Sequence, residues 1–272
     1  MCEFCTQHGE GKKWYLEMKN YSQDLMSEKW RKQFSSGTDN LDKWAKEIAI
    51  SLTKFERLKK LPRFLQNIIK GFVVRSQKKD HFGQVIPMSD VRQLIPMMNS
   101  IVRLPCVCRK ATLGAEKRYC FGIGVYPEDK LKNQPELPNN FEYMTGDEAL
   151  KSMEEFDKQG MIHTVWTFGT PFIGGLCNCD RDCGAYRARV WHGTNLFFKG
   201  EYIAQVDPEK CTGCKNCQKQ CQFGAVSFSL GNQKCAIEKQ ICYGCGVCQT
   251  ACPKNAITLI ERIKIPSVAK EW

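Results

Sequence analysis

The sequence predicts an α+β chain: a helical N-terminal region (1–80), a small Cys-rich α/β metal-binding domain (81–200) and a C-terminal module (201–272) built on a repeated Cys run. Three observations carry that prediction. Apolar residues recur at helical spacing through much of 14–80. Short strand-like runs alternate with one strongly capped helix between 81 and 200. Finally, Cys211, Cys214, Cys217 and Cys221 recur as Cys242, Cys245, Cys248 and Cys252, and the flanking segments repeat with them.

At the head of the chain, Cys2, Cys5 and His8 have metal-ligand spacing, with Gly9 and Gly11 free to wrap a site. This is only a half-site; metal binding is preferred over a free thiol pair. An amphipathic helix is expected from Trp14 to about Phe34, and a second from about Leu41 to Leu58 with Trp44, Ile48 and Leu52 on one face. Pro62 opens a third, carrying Phe64, Leu65, Ile68, Ile69, Phe72 and Val73. The many Lys and Arg of this region are read as a solvated face opposite apolar packing. A basic docking face for an acidic redox partner, or for peripheral membrane contact, is the rival.

Residues 81–90 read as a loop, followed by a short helix around Val91 and Leu94. Ile101–Leu104 is strand-like and leads into Cys106 and Cys108; a second short strand carries Cys120. Residues 127–140 read as an irregular excursion. Thr145-Gly-Asp-Glu148 is a capping box for a helix that Gly160 ends. The strand 161–166 contains His163, read as a hydrogen-bonded core residue. Beyond it, Cys177, Cys179 and Cys183 form a second Cys group.

Each half of the C-terminal repeat reads as strand, Cys loop, short helix, strand. Both runs have the spacing C-x2-C-x2-C-x3-C, and Gln222 stands where the second copy has Pro253. Cys235 aligns with Ala204 in the repeat and reads as a buried apolar side chain.

Seventeen Cys in 272 residues could suggest a disulfide scaffold, but such scaffolds are short and secreted. Residues 1–5 show no basic or apolar leader, no stretch approaches a membrane span, and a soluble cytoplasmic protein with reduced thiols is expected. The formal charge of +11 counts each Cys as neutral, and anionic metal–thiolate centres would lower it. Nucleic acid is therefore not an expected partner. No Walker loop or nucleophile elbow is present, and Gly122-Ile-Gly124 lacks the third Gly of a dinucleotide fingerprint.

The repeated Cys run resembles a bacterial two-[4Fe-4S] ferredoxin over residues 204–260, which makes the C-terminal region a dicluster ferredoxin-like domain. The resemblance implies crosswise ligation: Cys211, Cys214, Cys217 and Cys252 for cluster I, and Cys242, Cys245, Cys248 and Cys221 for cluster II. Two zinc sites are the disfavoured reading, because zinc sites space their Cys in pairs. Pro105-Cys-Val-Cys-Arg109, Thr145–Ala149, Gly160–His163 and Cys177–Cys179 extend the likeness over about 81–260. That longer stretch is similar to a largely uncharacterised family of multi-cluster iron–sulfur proteins of anaerobes, whose members often carry more Cys in both groups.

One further [4Fe-4S] cluster is therefore expected, ligated mainly by Cys106, Cys108, Cys177, Cys179 and Cys183. Cys120, or Cys2 and Cys5, are alternates, and structural zinc is the main rival. Arg109 and Arg181 beside these thiols would raise its potential. The expected function is electron transfer as a relay subunit of a larger anaerobic oxidoreductase complex, with a flavin-containing complex among the candidate partners. The alternative is a redox enzyme whose third cluster keeps one iron open to substrate.

Overall fold

The computed structural model describes residues 12–35, 39–125 and 141–271. Cys2, Cys5, His8 and the excursion at 127–140 lie outside the described residues. The architecture is α+β, and among the described residues no helix is long and apolar enough to cross a membrane.

The single helix expected from Trp14 to Phe34 does not form. Three short 3-10 turns at Trp14–Leu16, Met18–Tyr21 and Gln23–Leu25 precede α1 (Glu28–Ser35), with extended backbone at Glu17, Ser22 and Met26. The reason is that Trp14 and Tyr15, adjacent in sequence, are both buried. Their polar atoms are held by partners about 70 residues away in the chain, and a regular helix here would not serve those contacts. Side chains fix the irregular path. Asn20 Nδ2 donates to the Trp14 carbonyl (2.7 Å), the Tyr15 hydroxyl to Asp90 (2.6 Å), and Trp14 Nε1 to the Gln84 side chain.

The next two helices form as expected: α2 spans Asp39–Leu58 and α3 spans Arg63–Asp80. Their packing differs from the expectation. No residue of α3 is buried, and Phe64, Ile68 and Phe72 are 63%, 53% and 69% exposed. Half of the stripe read as a packed face is solvent-facing, while Leu65, Ile69 and Val73 are half-buried.

Among the described residues, seven strands make the main sheet, in the order β4-β2-β3-β6-β5-β1-β7. They are β1 (Gly83–Val85), β2 (Ile101–Leu104), β3 (Cys120–Ile123), β4 (Glu142–Met144), β5 (Ile162–Thr167), β6 (Ile173–Cys179) and β7 (Phe197–Phe198). All pairs are antiparallel except β1 with β7. The 81–90 segment is not simply a loop, because β1 lies within it, fully buried between β5 and β7. Three residues are too few to show a period, and Gly83 is there for space: a Cβ would come within 2.6 Å of the Trp166 ring. Helix α4 (Met88–Leu94) follows directly. Helix α5 (Val107–Leu113) starts at the first Cys pair, and α6 (Gly146–Lys158) opens on the expected capping box at Thr145 and Glu148.

After β6, α7 (Gly184–Tyr186) and a wider turn to Trp191 lead into the C-terminal module. There β8 (Tyr202–Val206) pairs with β11 (Ile257–Glu261), and β9 (Val226–Ser229) with β10 (Lys234–Ile237). The short helices α8 (Asn216–Gln220) and α9 (Val247–Thr250) follow the Cys loops. Polar contacts weld the module to the main sheet. The Tyr202 hydroxyl donates to Asp90 (2.8 Å), Thr250 to Asp157 (2.5 Å), and the Gln222 side chain to the Gly160 carbonyl.

His81 closes an aromatic cluster, its ring centroid 4.8 Å from that of Phe168, 5.0 Å from Trp166, 5.5 Å from Trp30 and 6.0 Å from Trp44. Burial lowers its pKa from 6.5 to about 4, against the opposing pull of the Thr167 carbonyl and Asp80. The unfolded chain therefore takes up a proton below about pH 6.5 that the native state refuses. Stability contributed by His81 is complete above that pH and falls as the pH drops toward 4, by up to about 3 kcal/mol. Urea midpoints of the parent and His81→Gln should converge across this window; a constant gap from pH 7 to 4.5 would contradict the burial.

Candidate metal centres

Each Cys run of the C-terminal module curls over its own small cavity, and the last Cys of the other run closes it. Cys211, Cys214, Cys217 and Cys252 line one cavity of about 10 Å³. Cys221, Cys242, Cys245 and Cys248 line the second, of about 20 Å³. The local path allows the crossing: Cys217 and Cys248 lie near the starts of α8 and α9, and Cys221 and Cys252 follow four residues on, past their ends. Each fourth Cys is thus carried about one helical turn along the axis, where it lines the cavity of the other run.

Backbone N–H groups surround the sulfurs. Ala225 donates to Cys221 Sγ and Ala256 to Cys252 Sγ, each at 3.3 Å, and Gly244 to Cys242 Sγ at 3.4 Å. Burial raises the pKa of Cys245 and Cys248, and pushes Cys217 up to about 12 with help from Cys235. Cys211 moves the other way: burial is the largest effect and opposes it, but N–H groups of Cys235 and Gly213 and the nearby Lys234 outweigh it. Four thiols, apolar walls and N–H groups directed at sulfur fit a [4Fe-4S] cluster in each cavity.

Cys235 has a more particular place than a buried apolar side chain. It lines the first cavity with Cys211 and Cys217 and shifts the pKa of both thiols. Ala204, its partner in the repeat, lines the second. Sequence alone held this signal, because the repeat places the two residues equivalently.

Arg262 anchors the second cavity from behind. It is fully buried and donates to the carbonyls of Gly200 (2.8 Å), Tyr202 (3.1 Å) and Cys242 (3.0 Å). Nothing in the sequence pattern marks it.

The third Cys group also converges. Cys120 and Cys177 face each other across β3 and β6, and Cys120 Sγ lies 3.3 Å from Cys106 Sγ. Cys183 Sγ lies 3.3 Å from Cys179 Sγ, and Cys108 lowers its pKa. Cys120, treated in the sequence as an alternate, is as central as the others. The first pair is not delivered in extended chain: Cys106 caps α5 and Cys108 lies within it. An extended strand would put both thiols of a C-x-C spacing on one face; here Cys106 stands at the cap and Cys108 in the first turn, each beside a different thiol, Cys120 and Cys183.

Arg109 is buried against the group, donating to Cys106 Sγ (3.6 Å) and the Asn178 carbonyl (2.9 Å) and pairing with Asp180 (2.8 Å). Arg181 is exposed. Hydrogen bonds from Cys108 and Cys179 hold the Cys183 thiol well below its usual range, with Arg109 helping, while Cys108 and Cys179 are pushed up. His163 is the core residue expected, tied to Asn178 (2.6 Å) and facing Asp157. Among the described residues no three Cys, His, Asp or Glu side chains close on the single point one metal ion needs; the thiols surround spaces instead.

Residues 210–257 match the family model of a 4Fe-4S dicluster domain, so the chain carries a ferredoxin-type module at its C-terminal end. That domain supports an iron–sulfur electron-transfer role. Among curated proteins, none matches the chain.

Replacing Arg262 with Met should leave three buried carbonyls without a donor, at a cost of roughly 3 kcal/mol or more. Iron bound near Cys242 should be lost before iron bound near Cys211. Equal lability of the two sites in a chelator time course would show that Arg262 does not hold that loop.

Proposed function

We propose that the chain is an electron-transfer relay subunit of a larger oxidoreductase, with three iron–sulfur clusters in line. Cys211, Cys214, Cys217 and Cys252 would hold one [4Fe-4S] cluster, and Cys242, Cys245, Cys248 and Cys221 a second. The six-thiol group of Cys106, Cys108, Cys120, Cys177, Cys179 and Cys183 would hold the third. The observation that carries this reading is the crosswise closure of the two four-thiol cavities, supported by the 4Fe-4S dicluster match. Bound clusters of this kind supply one-electron chemistry.

The residues between the sites support an order. Tyr186 follows Cys183 closely in α7, and its hydroxyl donates to the Gln222 carbonyl (2.5 Å) beside Cys221. Its ring lies 5.8 Å from that of Phe223, which stacks on Tyr243 at 3.8 Å. Phe223 and Tyr243 both line the second cavity. At the other end, Cys214 is the exposed thiol of the first cavity. The six-thiol group would therefore communicate with the second cavity, and the first would face the redox partner. Arg109 would compensate negative charge at the six-thiol group and keep it from water.

Protein purified without oxygen should contain about twelve irons per chain, with inorganic sulfide to match and little zinc. Cys108→Ser and Cys179→Ser should each lower this to about eight without disturbing the dicluster signals. Eight irons in the parent, or one zinc per chain, would assign the six-thiol group a structural role.

A further inference from the structure

We propose that the chamber between α2 and the six-thiol group binds an uncharged, flat aromatic molecule carrying a hydroxyl group. The chamber measures about 350 Å³, against 10 and 20 Å³ for the four-thiol cavities by the same measure. Cys108, Cys177, Cys179 and Cys183 form one end. The remaining wall is mostly apolar: Ile48 and Leu52 from one face of α2, with Trp44, Trp166 and Phe168 packed together around His81.

Glycines make this shape. A Cβ at Gly175 would meet the Phe168 ring at 3.1 Å and the Trp166 Cβ at 3.3 Å, so its absence lets the Phe168 ring lie over the sheet. At Gly184 a Cβ would lie 3.2 Å from Ile48 and 3.6 Å from Cys108, so a bare backbone lets α2 come down beside the thiols. The volume falls within the range of small-molecule sites, and apolar walls penalise a charged ligand.

His81 gives the chamber its polarity. Nδ1 lies 2.6 Å from the Thr167 carbonyl, which can only accept, so Nδ1 carries the proton and Nε2 is an acceptor. Nε2 has no hydrogen-bond partner among the described residues, and His81 lines the chamber. Its lowered pKa keeps the ring neutral at pH 7. A ligand hydroxyl would satisfy it. The thiol end then sets such a ligand beside a redox centre, which goes beyond the relay reading and does not require it.

Equilibrium dialysis of the anaerobically purified full chain against 2-naphthol tests this, with naphthalene and naphthalene-2-sulfonate as controls and iron content measured on the same samples. We expect saturable binding at one site, weaker binding of naphthalene and none of the sulfonate. His81→Phe should weaken 2-naphthol about tenfold, the worth of one hydrogen bond, and leave naphthalene unchanged. Ile48→Trp, which fills the chamber from α2, should abolish binding of both with iron content retained. No saturable binding to the parent, or 2-naphthol binding indifferent to both variants, would overturn the proposal. Loss of the relay reading would appear separately, as a low iron count.

Discussion

Neither four-thiol cavity can be completed by its own Cys run. Each takes three sulfurs from one loop and the fourth from the other, so the two halves of the repeat are bound into one unit. The strands obey the same rule. β8 of the first half pairs with β11 of the second, and β9 of the first with β10 of the second. Metal held in either cavity would draw on both halves and so couple its binding to the folding of the module. Arg262, at the end of β11, adds the last constraint by holding the backbone that leads into the second loop.

The rest of the chain is arranged around that unit. The main sheet brings Cys120, Cys177 and Cys179 side by side on neighbouring strands, and helix starts bring in Cys106, Cys108 and Cys183. Gln222, standing where the second copy has Pro, uses its side chain to bind the Gly160 carbonyl. A proline there could not make that contact. The departure from the repeat thus marks the docking point between the module and the sheet, with Tyr186 bonded to the same residue.

What the sequence disclosed was what is local. The Thr145 capping box and the Gly160 stop depend on residues a few positions apart, and both form as read. The failures were long-range. Three-residue β1 shows no period and is a strand only because β5 and β7 flank it. The 14–25 turns follow contacts to Gln84 and Asp90, about 70 residues away. The aromatic chamber draws on α2, His81, β5 and β6, so no window of sequence contains it. Cys235 is the instructive case, because the repeat did locate it, but burial was taken as its whole role.

Iron-edge anomalous scattering from a crystal of the loaded protein tests the crosswise arrangement most directly. Three iron centres are predicted: one within Cys211, Cys214, Cys217 and Cys252, one within Cys221, Cys242, Cys245 and Cys248, and one against the six-thiol group. Iron bound by Cys211, Cys214, Cys217 and Cys221 together, each run serving its own cluster, would contradict it.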